Sequence, residues 1–249
     1  FNVRDGYMSD IALNTPVNAA VAEKATTSRF EARVLALDGL RGFATLAVVI
    51  SHYFGEVPHG LAAFMGGWIA VDIFFVLSGY LVGKLILERK HSSNFFAVFY
   101  MRRLCRTFPS YILVTCLVFM MFGLVDTKPE WMQYKPGFSV WSYLTFTQNF
   151  QMAFTNQIGP YWLAPYWTLA VEEHFYLIGP ALLVFAPRRW LLPILGFFAV
   201  FAVAFRYVAL YHWPDPIIAD AILPGRMDTL ILGILAAILV LRGNIQWEK

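Results

Sequence analysis

The chain has 249 residues, of which 59% are hydrophobic and only 14% charged, and its mean hydropathy is +0.58. This composition excludes an ordinary soluble domain and predicts an all-α polytopic membrane protein. The net charge of +3 is not gathered into a basic patch, and the two cysteines lack zinc-ligand spacing, so neither nucleic-acid binding nor a metal site is expected.

The first 33 residues differ from the rest of the chain. They are polar and mixed, without the apolar core of a signal peptide, and residues 1–33 are expected to form a flexible tail. The chain begins with Phe1, as a fragment or a processed chain would. Residues 34–249 are expected to form one membrane domain.

Six stretches are long and apolar enough to cross a bilayer. They cover residues 35–54, 64–87, 107–125, 166–187, 191–211 and 223–241. Lys and Arg concentrate before the first span and in every second connection, whereas the remaining connections hold few or none. Because positive residues favour the cytoplasmic side, both termini are predicted to be cytoplasmic.

The first span carries polar side chains on one face. Arg41 and His52 are eleven positions apart, and at 100° per residue they fall within about 20° of each other around the helix. Asp38 and Thr45 lie close to the same line. Because charged groups are unfavourable in lipid, this stripe is interpreted as one wall of a polar cavity.

The fourth span carries two adjacent carboxylates, Glu172 and Glu173. Adjacent helical positions point about 100° apart, so the two cannot face the same direction. Glu172 aligns with Thr168 and Tyr176 at spacings of four residues. An intramembrane carboxylate can orient a histidine or stabilise its charged form, whereas the nearby His174 is interpreted as an interfacial residue.

Other charged positions allow structural interpretations. Asp72 in the second span is either the partner of a cation or a cavity residue. Arg226 and Asp228 either pair locally or cap the sixth span, and Arg226 is also a candidate cavity residue, as is Glu173. Arg206 is explained by snorkelling to the membrane surface. Small residues of the second span predict close helix contact: Gly66, Gly67, Ser78, Gly79 and Gly83.

Two connections contain candidate binding residues. Segment 100–111 is predicted to be cytoplasmic, and it places Arg103 and Arg106 at i, i+3 and Arg102 and Arg106 at i, i+4, so that either pair shares one helical face. Two guanidinium groups one turn apart suit a phosphate or pyrophosphate, although they are also what positive-inside topology requires. In the external stretch 126–165, aromatic and amide side chains either bind a sugar or form an interfacial belt, and the belt is favoured for most of them.

Five motifs occur in order between residues 35 and 242: LDGLRGFATLAVVISHYF, WIAVDIFFVLSGYL, YMRRLCRTFPSY, YWTLAVEEHFYL and PGRMDTLILGILAA. In these motifs the chain resembles the acyltransferase-3 family of integral-membrane acyltransferases. The resemblance implies transfer of an acyl group, commonly acetyl, to a hydroxyl of bacterial surface carbohydrate or another envelope acceptor. It also implies location in the plasma membrane.

The resemblance assigns roles to individual residues. It makes His52 the catalytic residue, Glu172 the acidic residue of the fourth span, and Arg41, Arg103 and Arg106 the residues linked to the donor. The donor is expected to be acyl-CoA, most commonly acetyl-CoA, on the cytoplasmic side, with no bound cofactor and no metal. The expected partners are therefore the lipid bilayer, acyl-CoA and a hydroxyl acceptor.

Two departures from the family pattern are visible. His174 stands where glutamine is usual, and the family usually has about ten spans, so the membrane domain is expected to lack its C-terminal spans here. Two other functions compete with acyl transfer. Intramembrane His, Glu and Arg also mark transporters, so a flippase for a polar or lipid-linked substrate is one alternative, and an inactive fragment of an acyltransferase is the other.

Overall fold

The computed structural model describes residues 37, 39–50, 67–125, 137–213 and 216–246. The described part is helical, and it divides into two compact units at residues 70 and 71. The first unit contains α1 (Gly39–Ile50) and the beginning of α2 (Gly67–Arg89). The second continues with α3 (Phe95–Leu124), α4 (Val140–Leu144), α5 (Gln148–Thr155), a 3₁₀ turn (Tyr161–Leu163), α6 (Tyr166–Phe185), α7 (Arg188–His212), α8 (Ile218–Ala221) and α9 (Leu223–Gln246).

Within the described residues, five helices are long and apolar enough to cross a membrane: α2, α3, α6 with the preceding 3₁₀ turn, α7 and α9. They confirm the predicted spans two to six, and the fold is an all-α polytopic bundle. Of the predicted first span the structure describes only Leu37 and the apolar helix α1; the rest lies outside the described residues.

The boundary of α3 corrects one prediction. The third span was predicted to begin at residue 107, after a separate cytoplasmic segment, but the helix begins at Phe95 and continues through Pro109. Its 30 residues extend about 45 Å, which exceeds the roughly 30 Å hydrocarbon core. The basic segment is therefore the first part of the same helix, which is long enough to emerge from the bilayer.

The membrane helices of the second unit alternate in direction. Phe96 near the beginning of α3 stacks on Phe185 at the end of α6, and the Tyr100 hydroxyl donates to the Leu177 carbonyl at 3.2 Å. Arg206 near the end of α7 pairs with Asp228 near the beginning of α9. As a result α2, α6 and α9 begin at one end of the bundle, and α3 and α7 begin at the other.

Glycines bring α2 and α9 together, as the small residues of the second span predicted. A Cβ at Gly79 would collide with the Leu230 carbonyl, and one at Gly83 would lie 3.2 Å from the Cα of Ile234. On the opposite side, a Cβ at Gly233 would collide with the backbone of α2. The two backbones are therefore in direct contact, which only glycine permits at these positions.

Burial is uneven among the helices. About half of the apolar segment of α9 is buried, against 17% for α3 and 11% for α7. The exposed side chains of α7 are large and apolar, among them Phe197, Val200 and Tyr207. Since lipid accepts such side chains as readily as a protein core does, these faces suit contact with the bilayer.

The connection between α3 and α6 is organised by buried side chains. Tyr111 stacks between Phe146 and Tyr166, at centroid distances of 4.3 and 4.7 Å. Its hydroxyl donates to the Tyr143 carbonyl at 2.8 Å and accepts from Gln148 Nε2 at 3.2 Å. Burial raises the pKa of the Tyr143 hydroxyl, so that side chain stays neutral.

The amides of this connection serve the fold. Gln148 and Asn149 are fully buried, and they donate to the carbonyls of Tyr166 and Ala221 at 3.1 Å. They therefore do not present the sugar-binding surface that was one interpretation of this stretch. Three of its aromatic side chains, Trp141, Tyr161 and Trp162, are exposed, as an interfacial belt requires.

Candidate active site

Of the residues predicted on the first span, Arg41 is described and partly exposed on α1. The Thr45 hydroxyl donates to the Arg41 carbonyl at 2.9 Å, one turn back along the helix. Asp38 and His52 lie outside the described residues. The polar stripe predicted to join Arg41 to His52 therefore remains a prediction.

Glu172 lies inside the second unit, with only 5% of its surface exposed. Ser78 of α2 donates a hydrogen bond to Oε1, and the Tyr176 hydroxyl, one turn further along α6, donates to Oε2 at 2.9 Å. Both carboxylate oxygens are thus held by hydroxyl groups. The predicted alignment of Glu172 with Tyr176 is present as a direct contact, whereas Thr168 bonds the Pro165 carbonyl instead.

A cation lies on the other side of the same tyrosine. The Arg103 guanidinium carbon is 3.9 Å from the centre of the Tyr176 ring and 5.7 Å from that of Phe99. A guanidinium over an aromatic face is stabilised by the negative potential of the ring. The cluster formed by Ser78, Arg103, Glu172 and Tyr176, here called the Glu172 cluster, joins α2, α3 and α6.

The structure separates the two adjacent carboxylates. Glu172 is buried between helices, while Glu173 is only partly buried. Arg103 and Arg106 also differ, because Arg103 turns toward α6 and Arg106 is exposed. The two arginines lie one turn apart on α3 but differ in their surroundings.

A second group of charges joins the helices where α2, α6 and α9 begin. Arg226 is 6% exposed, and its Nη1 contacts Asp72 Oδ1 at 2.7 Å while its Nη2 contacts Asp220 Oδ1 at 2.8 Å. The guanidinium carbon is 5.8 Å from the centre of the Trp167 ring. We call Arg226, Asp72 and Asp220 the Arg226 cluster. Asp72 thus has a structural role as the partner of a cation.

Two predicted arrangements at this end were wrong. Arg226 does not pair locally with Asp228, because Asp228 pairs with Arg206 of α7. Arg206 does not simply snorkel: Nη1 donates to Asp228 Oδ1 at 2.8 Å and to the Gly225 carbonyl at 2.6 Å. Charged side chains in membrane helices usually pair with an opposite charge or with a backbone carbonyl, and Arg206 does both.

His174 packs against the connection that precedes α6. Phe150 stacks on its imidazole with a centroid distance of 5.0 Å, and Asn149 Nδ2 lies 3.5 Å from Nδ1. The ring is partly buried between α5 and α6, and its interfacial position stays a prediction.

Sequence reasoning missed Ser78 and Asp220 as partners. A signal for Ser78 existed, because it adjoins Gly79 at a close helix contact where a buried carboxylate needs donors. Asp220 gave no signal, because the short helix α8 brings it to Arg226 only after folding. Among the described residues, no group of three His, Cys, Asp or Glu side chains is placed to hold a metal ion.

The apolar helices of spanning length define an integral-membrane protein. Charged side chains are buried between these helices, where they are typical of functional or structural ion pairs. The acyltransferase domain of the acyltransferase-3 family matches residues 34–249, so the chain belongs to that family. The acyltransferase class expected from the sequence is confirmed at this level.

Two relatives are similar over the larger part of the chain. The O-acetyltransferase OatA of Staphylococcus aureus strain NCTC 8325 is 33% identical over 162 residues, which is 62% of this chain and 25% of the relative. The peptidoglycan O-acetyltransferase OatA of Listeria monocytogenes is 35% identical over 169 residues, 65% of this chain and 26% of the relative. The chain thus spans about a quarter of the length of these relatives. No solved structure matches it.

Proposed function

We propose that the chain is the membrane part of an O-acetyltransferase that moves an acetyl group from acetyl-CoA to a hydroxyl of an envelope carbohydrate. The family supports acyl transfer, and both named relatives are O-acetyltransferases. Peptidoglycan is the acceptor we favour, because the Listeria relative carries it in its name. In this proposal the protein lies in the plasma membrane with its N-terminus in the cytoplasm, as the distribution of Lys and Arg predicts.

The observation that carries this proposal is the Glu172 cluster. A buried carboxylate is expensive to keep in an apolar bundle, yet here two hydroxyl groups donate hydrogen bonds to it, and one of them belongs to a tyrosine whose ring contacts the Arg103 guanidinium. In the proposed reaction, Glu172 sets the tautomer of His52 and stabilises the imidazolium that forms during the reaction.

His52 is the proposed general base. Its imidazole takes the proton of the acceptor hydroxyl while the oxygen attacks the thioester carbonyl of the donor. The carbon–sulfur bond then breaks, and the leaving thiolate of coenzyme A receives a proton from the imidazolium. An ester and a free thiol result. Proton transfer of this kind typically contributes about 10² to 10⁴-fold to the rate.

Arg41, Arg103 and Arg106 are the proposed donor-binding residues. Arg106 is exposed and accessible to the phosphates of acyl-CoA. The Arg103 guanidinium lies over the Tyr176 ring, and its N–H groups are the proposed donors to a second phosphate oxygen of acyl-CoA. Arg103 would then connect the donor site to the Glu172 cluster.

The proposal is tested by acetyl transfer in membranes that contain the chain, with labelled acetyl-CoA as donor. Wild type is compared with His52→Ala and with Glu88→Gln, an exposed carboxylate paired only loosely with Lys84 at 3.8 Å. We expect label in envelope carbohydrate with wild type and Glu88→Gln and a near-complete loss with His52→Ala. Equal labelling with His52→Ala would overturn the catalytic assignment. Transport of unmodified carbohydrate without labelling would favour a flippase.

A further inference from the structure

A small recess opens where α2 ends and α3 begins. Arg89 and Arg102 flank it, and Ser92 and Asn94 of the connecting turn also line it. Its floor is apolar and includes Phe95 and Phe99 of the buried core. The volume of ≈ 70 Å³ leaves room for a phosphate group but not for a nucleoside.

The rim of this recess is strongly positive. Both guanidinium groups are on exposed residues, and Lys90 and His91 follow Arg89 directly in the turn. The neighbouring carboxylate, Glu88, lies 3.8 Å from Lys84 one turn earlier on α2 and does not line the recess. The recess therefore combines cations with apolar side chains at the end of α2.

We propose that this recess binds a phosphate group, with Arg89 and Arg102 as its cationic ligands. Two planar guanidinium groups match the charge of a phosphate monoester and can each donate two parallel hydrogen bonds to it. Ser92 and Asn94 add neutral donors for the remaining oxygens.

The recess adjoins the proposed donor-binding pair but has cations of its own. Phe95, Phe99 and Arg102 lie on one face of α3, with the i, i+4, i+7 spacing of a helical stripe, and this face turns toward the end of α2. Arg106 continues the same stripe one turn further along the helix. Arg103 is one residue beyond Arg102, about 100° around the helix, and its guanidinium carbon lies 5.7 Å from the centre of the Phe99 ring.

Two sources carry the same chemistry. The first source is acyl-CoA, which bears a monoester phosphate on its ribose besides its diphosphate. If Arg103 and Arg106 bind the diphosphate, the monoester phosphate needs a second anion site nearby. This source rests on the proposed function. A phospholipid headgroup from the surrounding bilayer is the other source, and it does not depend on acyl transfer.

The experiment uses the full chain, purified in a neutral detergent, as wild type and as the double variant Arg89→Gln/Arg102→Gln. Its matched control is Arg188→Gln/Arg189→Gln, which removes two exposed arginines from the same end of the bundle but not from the recess. One arm measures binding of coenzyme A and 3′-dephospho-coenzyme A by calorimetry. The other measures retention of phosphatidylglycerol by native mass spectrometry.

For a donor phosphate we expect at least about tenfold weaker binding of coenzyme A in the recess variant, with 3′-dephospho-coenzyme A unaffected. For a lipid phosphate, binding of coenzyme A stays unchanged while phosphatidylglycerol retention falls. Either result supports the site and names its source. If neither ligand distinguishes the recess variant from the Arg188/Arg189 control, the phosphate site is refuted. Wild-type binding of coenzyme A separately tests the donor assumed in the proposed function.

Discussion

The Glu172 cluster and the Arg226 cluster both stabilise a buried charge, but they do so with different partners. Each places a charge between apolar helices, where an isolated ion is strongly disfavoured. Arg226 contacts two carboxylates at 2.7 and 2.8 Å, so its single positive charge is more than balanced. The described contacts of Glu172 are hydrogen bonds from two neutral hydroxyls, with the guanidinium of Arg103 beyond the Tyr176 ring. The first arrangement suits a structural joint, and the second holds the carboxylate to which we assign a role in the reaction.

The strongest test of this contrast removes the central cation of the joint. Arg226→Met should lower the free energy of unfolding by about 1.5–3 kcal/mol, because Asp72 and Asp220, which are partly exposed, lose their hydrogen-bonded cation. The effect is measured by heating the protein in detergent and monitoring the folded fraction by size-exclusion chromatography. Adding Asp72→Asn and Asp220→Asn to the variant should restore part of the loss. A single variant as stable as wild type would contradict the structural role.

The corresponding change in the other cluster should affect activity far more than stability. Glu172→Gln keeps an acceptor for one hydroxyl donor but removes the charge, so we expect acetyl transfer to fall by about 10²-fold or more while the melting temperature changes by only a few degrees. Initial rates and thermal unfolding on the same preparation separate these effects. If Glu172→Gln destabilises the protein as much as Arg226→Met does, the Glu172 cluster also has a structural role and the proposed difference between the clusters is wrong.

The geometry of the joint depends on the contact between α2 and α9, which carry Asp72 and Arg226. Gly79→Ala should force these helices apart and lower the free energy of unfolding by about 1–3 kcal/mol. Gly196→Ala on α7 is the matched control, because nothing lies within 4 Å of its added methyl group. It should be neutral or slightly stabilising, since alanine favours helix. Equal stability of the two variants would show that the contact is looser than described.

The smallest expected effect separates the two contacts of Tyr176. Tyr176→Phe removes the hydroxyl donor to Glu172 but keeps the ring beneath Arg103, so we expect a loss of about 1 kcal/mol of stability and about a tenfold fall in transfer. Tyr176→Leu also removes the ring and should raise the Michaelis constant for acetyl-CoA further. Identical Michaelis constants for the two variants would show that the contact between Arg103 and the Tyr176 ring does not contribute to donor binding.

Hydrophobicity was sufficient to predict the membrane helices, because length and apolarity are properties of a single segment. Residues 166–187 and 191–211 were predicted as spans, and α6 and α7 cover Tyr166–Phe185 and Arg188–His212. The beginning of α3 was missed by twelve residues, because the arginines before Pro109 were taken as evidence for a connection rather than for a helix longer than the bilayer is thick.

The sequence also allowed contacts within one helix to be predicted, as the alignment of Glu172 with Tyr176 shows. It did not allow contacts between different helices to be predicted. For Arg226, pairing with Asp228, two residues away, was one of the predicted alternatives. Arg226 instead pairs with Asp72, 154 residues away, because the order of helices in the bundle decides which charges meet. The same reason explains why Arg206 was given no partner.

The separation of Asp72 from Arg226 has a consequence for synthesis of the protein. Ribosomes add about 5–20 residues per second, so Asp72 is incorporated roughly 8–30 s before Arg226. During that interval the nascent chain holds a carboxylate in α2 without its later cation. Asp72 lies in the second turn of the described helix, close to an end that can remain in water. The ion pair that joins α2 to α9 therefore forms only after α9, the last described helix, has begun to be made.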